Sequence, residues 1–252
     1  VWKALMLFGL FVCVRGISRI LPSLPSFNVW TFFALQPLVV WETLCSGHFD
    51  IWWVATVLWA VVYAKEGRWI FVAPLIALGT WIKFLPVFAA PWLFLWWWQS
   101  LKNKDSRSSV IYSFSTGIVI ALCLTFVFWR HFWTGSHILT PIILQTKWAV
   151  SSIFAAIYYT LRPFADILLG SSAHWWLTRV VQGGLFGAML FWLSPLISRL
   201  WRIVRFQESG SVQWFFSAIT ITFFVYASVW QKSFWPWYAL WLLPLFFVIT
   251  LC

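Results

Sequence analysis

The sequence predicts an all-α protein, a polytopic transmembrane helical bundle of about 8 membrane segments, including short hairpin helices and an interfacial or re-entrant region. Three observations carry that prediction. Of the 252 residues, 62% are hydrophobic and only 9% are charged. A soluble domain carries about 25% charged residues, so this chain has too few polar groups to cover a globular surface. Its apolar stretches repeatedly run 14 residues or more with few charges. They do not alternate, as "VIALCLTFVFW" and "WLLPLFFVITL" show, which excludes the pattern of a closed transmembrane barrel. The whole of 1–252 reads as one transmembrane domain.

The elements follow from breaks in the apolar pattern. Residues 1–14 read as a helix, ended by Arg15, Arg19 and the "LPSLP" turn at 21–25. A second apolar segment covers about 27–43 and contains Pro37; a third runs about 50–64 and stops at "KEGR", 65–68. Residues 69–98 form a 30-residue block interrupted by "KFLP" at 83–86. As one helix it would span ~45 Å, beyond the ~30 Å hydrocarbon core, so it is either one long tilted helix or a hairpin bent near Pro86. The basic loop 100–109 leads to a segment at about 110–129 and then to "RHFWTGSH". Residues 138–172 are apolar but punctuated by Lys147, Arg162, Pro163 and Asp166, the mark of an interfacial or re-entrant region. Helices at about 175–198, 212–230 and 236–251 complete the set. Val1 and Cys252 both fall inside apolar stretches, and the expectation is a piece of a longer protein.

The formal net charge of +11 is accounted for by short basic loops facing anionic lipid, and nucleic acid is not an expected partner. With 69–98 as a hairpin, the loops 15–19, 65–68, 102–107 and 199–205 fall on one side and hold ten of the 17 basic residues. The positive-inside rule makes that side cytoplasmic. A single long helix would split these loops between two faces, so the hairpin is preferred. Cys13, Cys45, Cys123 and Cys252 are scattered and form no CxxC pair, which indicates neither a zinc site nor a disulfide framework. The 24 tryptophans serve as interfacial anchors or line a groove for sugars or isoprenoid chains.

One stretch stands apart. "WETLCSGHFD", 41–50, gathers Glu42, His48 and Asp50 in a chain with only six acidic residues and four histidines. The same topology puts this stretch, Lys83, residues 130–174 and loop 231–238 together on the extracytoplasmic side. Asp50 has a structural alternative, the N-cap of the helix that follows. Lys83 lies within an apolar block, where an unpaired ammonium costs at least ~2.5 kcal/mol. It therefore snorkels, pairs with Asp50 or Glu42, or binds an anion such as a lipid-linked phosphate. No organic cofactor is indicated. Glu42, His48 and Asp50 give only a weak divalent-metal signal, since no second histidine follows at i+4.

The run 36–98 carries Gln36-Pro37-Leu38, Glu42, Gly47-His48-Phe49-Asp50, Lys83-Phe84-Leu85-Pro86 and Pro91. In this order it resembles a block of the C-type superfamily of polytopic glycosyltransferases, closest to bacterial polyprenyl-phosphate-mannose-dependent mannosyltransferases. "FWPWYALWLLPL", 234–245, resembles an aromatic segment near the end of such enzymes. The resemblance implies an integral protein of the bacterial plasma membrane with an extracytoplasmic site. It implies an inverting hexosyltransferase that moves mannose or another hexose from a polyprenyl-phosphate donor to a glycan or glycolipid acceptor in the cell envelope. Asp50, helped by Glu42 and oriented by His48, is then the candidate base or acceptor-binding group. Lys83, Arg130, Arg162 and Lys232, with Trp237 and Tyr238, are the candidates for binding the lipid phosphate and substrate. The family's principal carboxylate usually lies in a first extracytoplasmic loop that this chain lacks ahead of Val1. Either that base belongs to an absent N-terminal portion, or Asp50 or Glu42 does its work. Two other classes fit the hydrophobicity: a transporter or flippase for a lipid-linked saccharide, and a non-catalytic membrane scaffold. The first usually shows repeated halves, which this sequence lacks. The second leaves the one-sided cluster of Glu42, His48, Asp50 and Lys83 unexplained.

Overall fold

A computed structural model describes residues 1–22, 25–102, 106–132, 135, 153–206 and 212–225. These residues are almost entirely helical, with no strand among them, as an all-α fold requires. The helix α1 (Trp2–Ile20) runs six residues past its expected end and carries Arg15 and Arg19 in its own last turns. Neither arginine breaks a helix, whereas Pro22 disfavours the helical region at the residue before it, and Leu21 leaves it (φ −115°, ψ 70°).

The second apolar segment is not one helix. It divides into α2 (Ser26–Val29), a π-helical turn Trp30–Ala34, α3 (Pro37–Val40) and a second π-helical turn Trp41–Cys45. Gln36, held extended ahead of Pro37, makes the main break. The segment runs back along α1, with Trp30 6.3 Å from Phe11.

The helix α4 (Asp50–Lys65) is apolar on every side and lies at the centre of the core, as a helix without a polar face must. It runs parallel to α1. Gly9 faces Ile51 and Trp52 near its start, and Gly16 faces Leu58 and Trp59 further on. Trp59 Nε1 donates to the Val12 carbonyl at 3.0 Å, and Lys65 Nζ to the Ile20 carbonyl at 2.9 Å. The chain then reverses through "KEGR", where Gly67 takes φ +71° and Arg68 N donates to the Tyr63 carbonyl at 2.8 Å.

The 69–98 block is two helices, not one. A 3-10 turn Trp69–Phe71 leads into α5 (Val72–Ile82), which is antiparallel to α4. Lys83 is extended (φ −154°, ψ 137°) and ends α5; a 3-10 turn Leu85–Ala89 then starts α6 (Ala90–Ser100). The direction of α6 follows from its aromatic contacts. Trp96 meets Trp69 edge-on at 6.3 Å, and Trp97 stacks on Phe114 at 4.4 Å. The far end of α6 therefore returns to the start of α5, and the hairpin is the arrangement that forms. The next helix, α7 (Arg107–Phe132), runs parallel to α5, with Gly117 against the Ile70 carbonyl and Phe128 5.6 Å from Trp81.

Residues 153–172 form more regular structure than expected: α8 (Ile153–Leu169), continuous through Pro163, and a 3-10 turn Gly170–Ser172. The rest of the supposed interfacial region, 138–152, lies outside the described residues. The helix α9 (Ala173–Phe206) also outruns its expected end and takes in Arg199, Arg202 and Arg205. Tyr158, Leu177, Val181 and Leu185 make a small second core between α8 and α9. The helix α10 (Val212–Val225) returns to the main core. Phe215 stacks on Trp96 at 5.3 Å, and Trp92 Nε1 donates to Thr222 Oγ1 at 3.0 Å, so α10 is antiparallel to α6. The expected segment 236–251 lies outside the described residues.

Of the described helices, Arg107–His131 is long and apolar enough to cross a membrane. The pair Pro37–Cys45 and Asp50–Lys65, bent by 117°, passes the same test only if taken together, and Trp69–Ile82 is apolar but shorter.

Candidate functional site

The register of α4 and α5 determines what meets at their open end. At Gly79 the α5 backbone passes against the Thr56 side chain of α4, so that a Cβ placed there would lie 2.1 Å from Thr56 Oγ1 and 2.9 Å from Pro86 Cγ. Only glycine fits there. From that crossing, six residues back along α4 reach Asp50 and four forward along α5 reach Lys83. The two side chains meet: Lys83 Nζ donates to Asp50 Oδ1 at 2.6 Å. The Asp50 side chain is 8% exposed and that of Lys83 27%. Burial disfavours the ammonium, and the charge and hydrogen bond of Asp50 oppose that penalty.

Asp50 is not the N-cap of α4. Phe49 occupies that position, and Asp50 is the first helical residue. Its Oδ1 also accepts the indole N–H of Trp53, one turn along, at 3.0 Å. Trp53 is 1% exposed, and Phe223 of α10 packs edge-on against it at 5.6 Å.

A second pair lies just ahead in the chain. Glu42 sits in the π-helical turn and is buried. Gly47 takes φ +71°, a conformation natural to glycine. The turn brings His48 back so that its backbone N–H donates to the Glu42 carbonyl at 3.0 Å and its Nε2 lies 3.3 Å from Glu42 Oε2. The expected trio is thus two pairs, Glu42 with His48 and Asp50 with Lys83. Among the described residues no group of three His, Cys, Asp or Glu side chains is placed to hold a metal ion.

An apolar cavity of about 480 Å³ lies between α5, α6 and α7. It is lined near the Lys83 end by Thr80, Trp81 and Val87, and by Trp129 of α7. Arg130 follows Trp129 in the exposed last turns of α7. Arg162 is on α8, where its Nε lies 3.6 Å from Asp166 Oδ2 one turn on. Lys232, Trp237 and Tyr238 lie outside the described residues. Cys13 is buried, and Cys45 and Cys123 are exposed; all three are free thiols.

The scarcity of charge pointed to Asp50, Lys83, Glu42 and His48. Trp53 was missed because 24 tryptophans leave no reason to single one out. Its i+3 spacing from a buried carboxylate was the available signal. No family model, curated protein or solved structure matches the chain.

Proposed function

We propose that the chain is the core of a polytopic membrane glycosyltransferase, which moves a hexose such as mannose from a polyprenyl phosphate to a glycan or glycolipid acceptor. The observation that carries this reading is the part-buried contact of Asp50 with Lys83 at one end of the α4–α5 hairpin. It gives one small volume both a carboxylate and a cation in an otherwise apolar core, as transfer from a phosphate-linked sugar requires.

Asp50 takes the proton of the acceptor hydroxyl as that oxygen bonds to the anomeric carbon. The bond from that carbon to the phosphate oxygen breaks, its electron pair stays on the departing polyprenyl phosphate, and Lys83 neutralises the charge that develops there. Glu42 and His48 form a second hydrogen-bonded pair beside the base and are assigned to the acceptor. The apolar cavity suits the isoprenoid chain. The reading puts the Asp50 end of α4 at the extracytoplasmic face of a bacterial plasma membrane and the basic Lys65 end at the cytoplasmic face. Arg19, Lys65 and Arg68 group at that second end, in keeping with the positive-inside rule.

The test uses the full chain in lipid nanodiscs, undecaprenyl-phosphate [³H]mannose as donor and an octyl mannoside as acceptor. Asp50→Asn and Lys83→Ala are each expected to lower transfer per folded molecule by about tenfold or more. Wild-type rates in both variants remove these residues from the site, and no transfer by the parent chain with any hexosyl donor removes the enzyme reading.

A further inference from the structure

We propose that Trp53 is a positioning residue for Asp50, keeping its carboxylate in place while Lys83 changes partner from that carboxylate to the donor phosphate. The inference rests on the reading of Asp50 as the base and adds to it a step that couples donor binding to release of the base.

Lys83 Nζ lies 2.6 Å from Asp50 Oδ1 and so occupies an oxygen that the acceptor hydroxyl has to reach. A phosphate arriving in the same space carries more charge and more acceptor oxygens than a carboxylate and competes for that ammonium. Lys83 is suited to such an exchange. It has a flexible stem, keeps about a quarter of its side chain exposed, and sits at an extended break where α5 has ended. Once Lys83 turns away, the buried carboxylate depends on the donors that stay with it. Trp53 is one such donor and cannot follow the phosphate. Its indole N–H is fixed on Asp50 Oδ1 at 3.0 Å within the same helix, in a ring that is 1% exposed and held edge-on by Phe223. An indole carries no charge, so it holds the carboxylate without neutralising it.

Two substitutions separate this role from packing. Trp53→Phe keeps an aromatic ring in the core but removes the N–H. Trp53→Gln loses the ring but restores an N–H donor. If Trp53 only fills space, Trp53→Phe transfers faster than Trp53→Gln. If it positions Asp50, the order inverts. A hydrogen bond to a charged group predicts a loss of roughly tenfold to a hundredfold in Trp53→Phe and partial recovery in Trp53→Gln, with rates referred to the folded fraction by size-exclusion chromatography. Trp53→Phe at or above Trp53→Gln overturns the inference. Where Trp53→Phe does not fold, Phe223→Leu carries the test, since it retains the N–H but loosens the ring. A severalfold fall in rate per folded molecule supports the role, and an unchanged rate overturns it. Asp50→Asn is run in parallel. If it is inactive while Trp53→Phe is normal, only the positioning role fails; if both are normal, the assignment of Asp50 as base fails first.

Discussion

At its Lys65 end, α4 is followed by Glu66, whose Oε1 meets Arg19 at 3.0 Å with side chains 28% and 59% exposed, and whose Oε2 meets Arg68 at 3.6 Å. At its other end Asp50 meets Lys83 at 2.6 Å with side chains 8% and 27% exposed. Both are contacts of one acidic residue with a cation from a neighbouring element, yet they differ in what surrounds them. The Glu66 cluster is bathed by solvent or headgroups and is held by a turn that forms without it. Such pairs contribute about 0–1 kcal/mol. The Asp50 pair is enclosed by apolar helices, where each charge depends on the other to remain there at all. The chain thus carries an exposed charge cluster at one end of α4 and an enclosed ion pair at the other.

Four substitutions test that difference, measured by thermal unfolding in nanodiscs. Lys83→Met leaves a buried carboxylate with one donor fewer, and the expected destabilisation is the largest, about 3 kcal/mol, the low end for breaking a buried pair because Lys83 is part exposed. Loss below that of Arg19→Ala would show that the two ends are energetically alike. Gly79→Ala places a methyl group against Thr56 and is expected to cost about 2 kcal/mol. Adding Thr56→Ala should relieve much of it, and failure to do so would mean that the α4–α5 crossing is not the tight point. Trp59→Phe removes the hydrogen bond to the Val12 carbonyl and should cost about 1 kcal/mol. Arg19→Ala is expected to cost under about 1 kcal/mol, and to cost nothing measurable in ~1 M salt, where exposed charges are screened within ~3 Å. A salt-insensitive loss would place that pair in the same class as Asp50–Lys83.

Much of this arrangement was legible in the residues themselves. The centre, α4 and the reversal after it, could be read because "IWWVATVLWAVVYA" is uniformly apolar between two charged borders. The hairpin at 83–86 could be read from where the basic loops had to fall. The ends of α1 and α9 could not, because arginines at 15, 19, 199, 202 and 205 look like loop residues in an apolar chain but are good helix formers. The segment 27–43 read as one apolar stretch with a proline in it, and its division into short helices was not visible because π-helical turns leave no mark in composition. At the site, Asp50 and Lys83 were conspicuous by their charge. Their pairing was one of the alternatives open to Lys83 in the sequence; choosing Asp50 over Glu42 depended on a crossing at Gly79 that spacing within either helix does not reveal.

That crossing also sets a length scale. Counted from it, Asp50 is six residues away and Lys83 four, which at the rise of a helix is roughly 9 Å against roughly 6 Å along the axis. The shortfall of about two residues is made up by the extended backbone at Lys83 and by its four-carbon arm. The hairpin therefore works as a calliper, and the lysine is the jaw that closes the gap. A shorter cation at 83 would fall short of the carboxylate, and one residue inserted between Gly79 and Lys83 would swing the ammonium about 100° around the α5 axis. The spacing from the crossing, as much as the identity of the two ionic groups, is what brings Asp50 and Lys83 together.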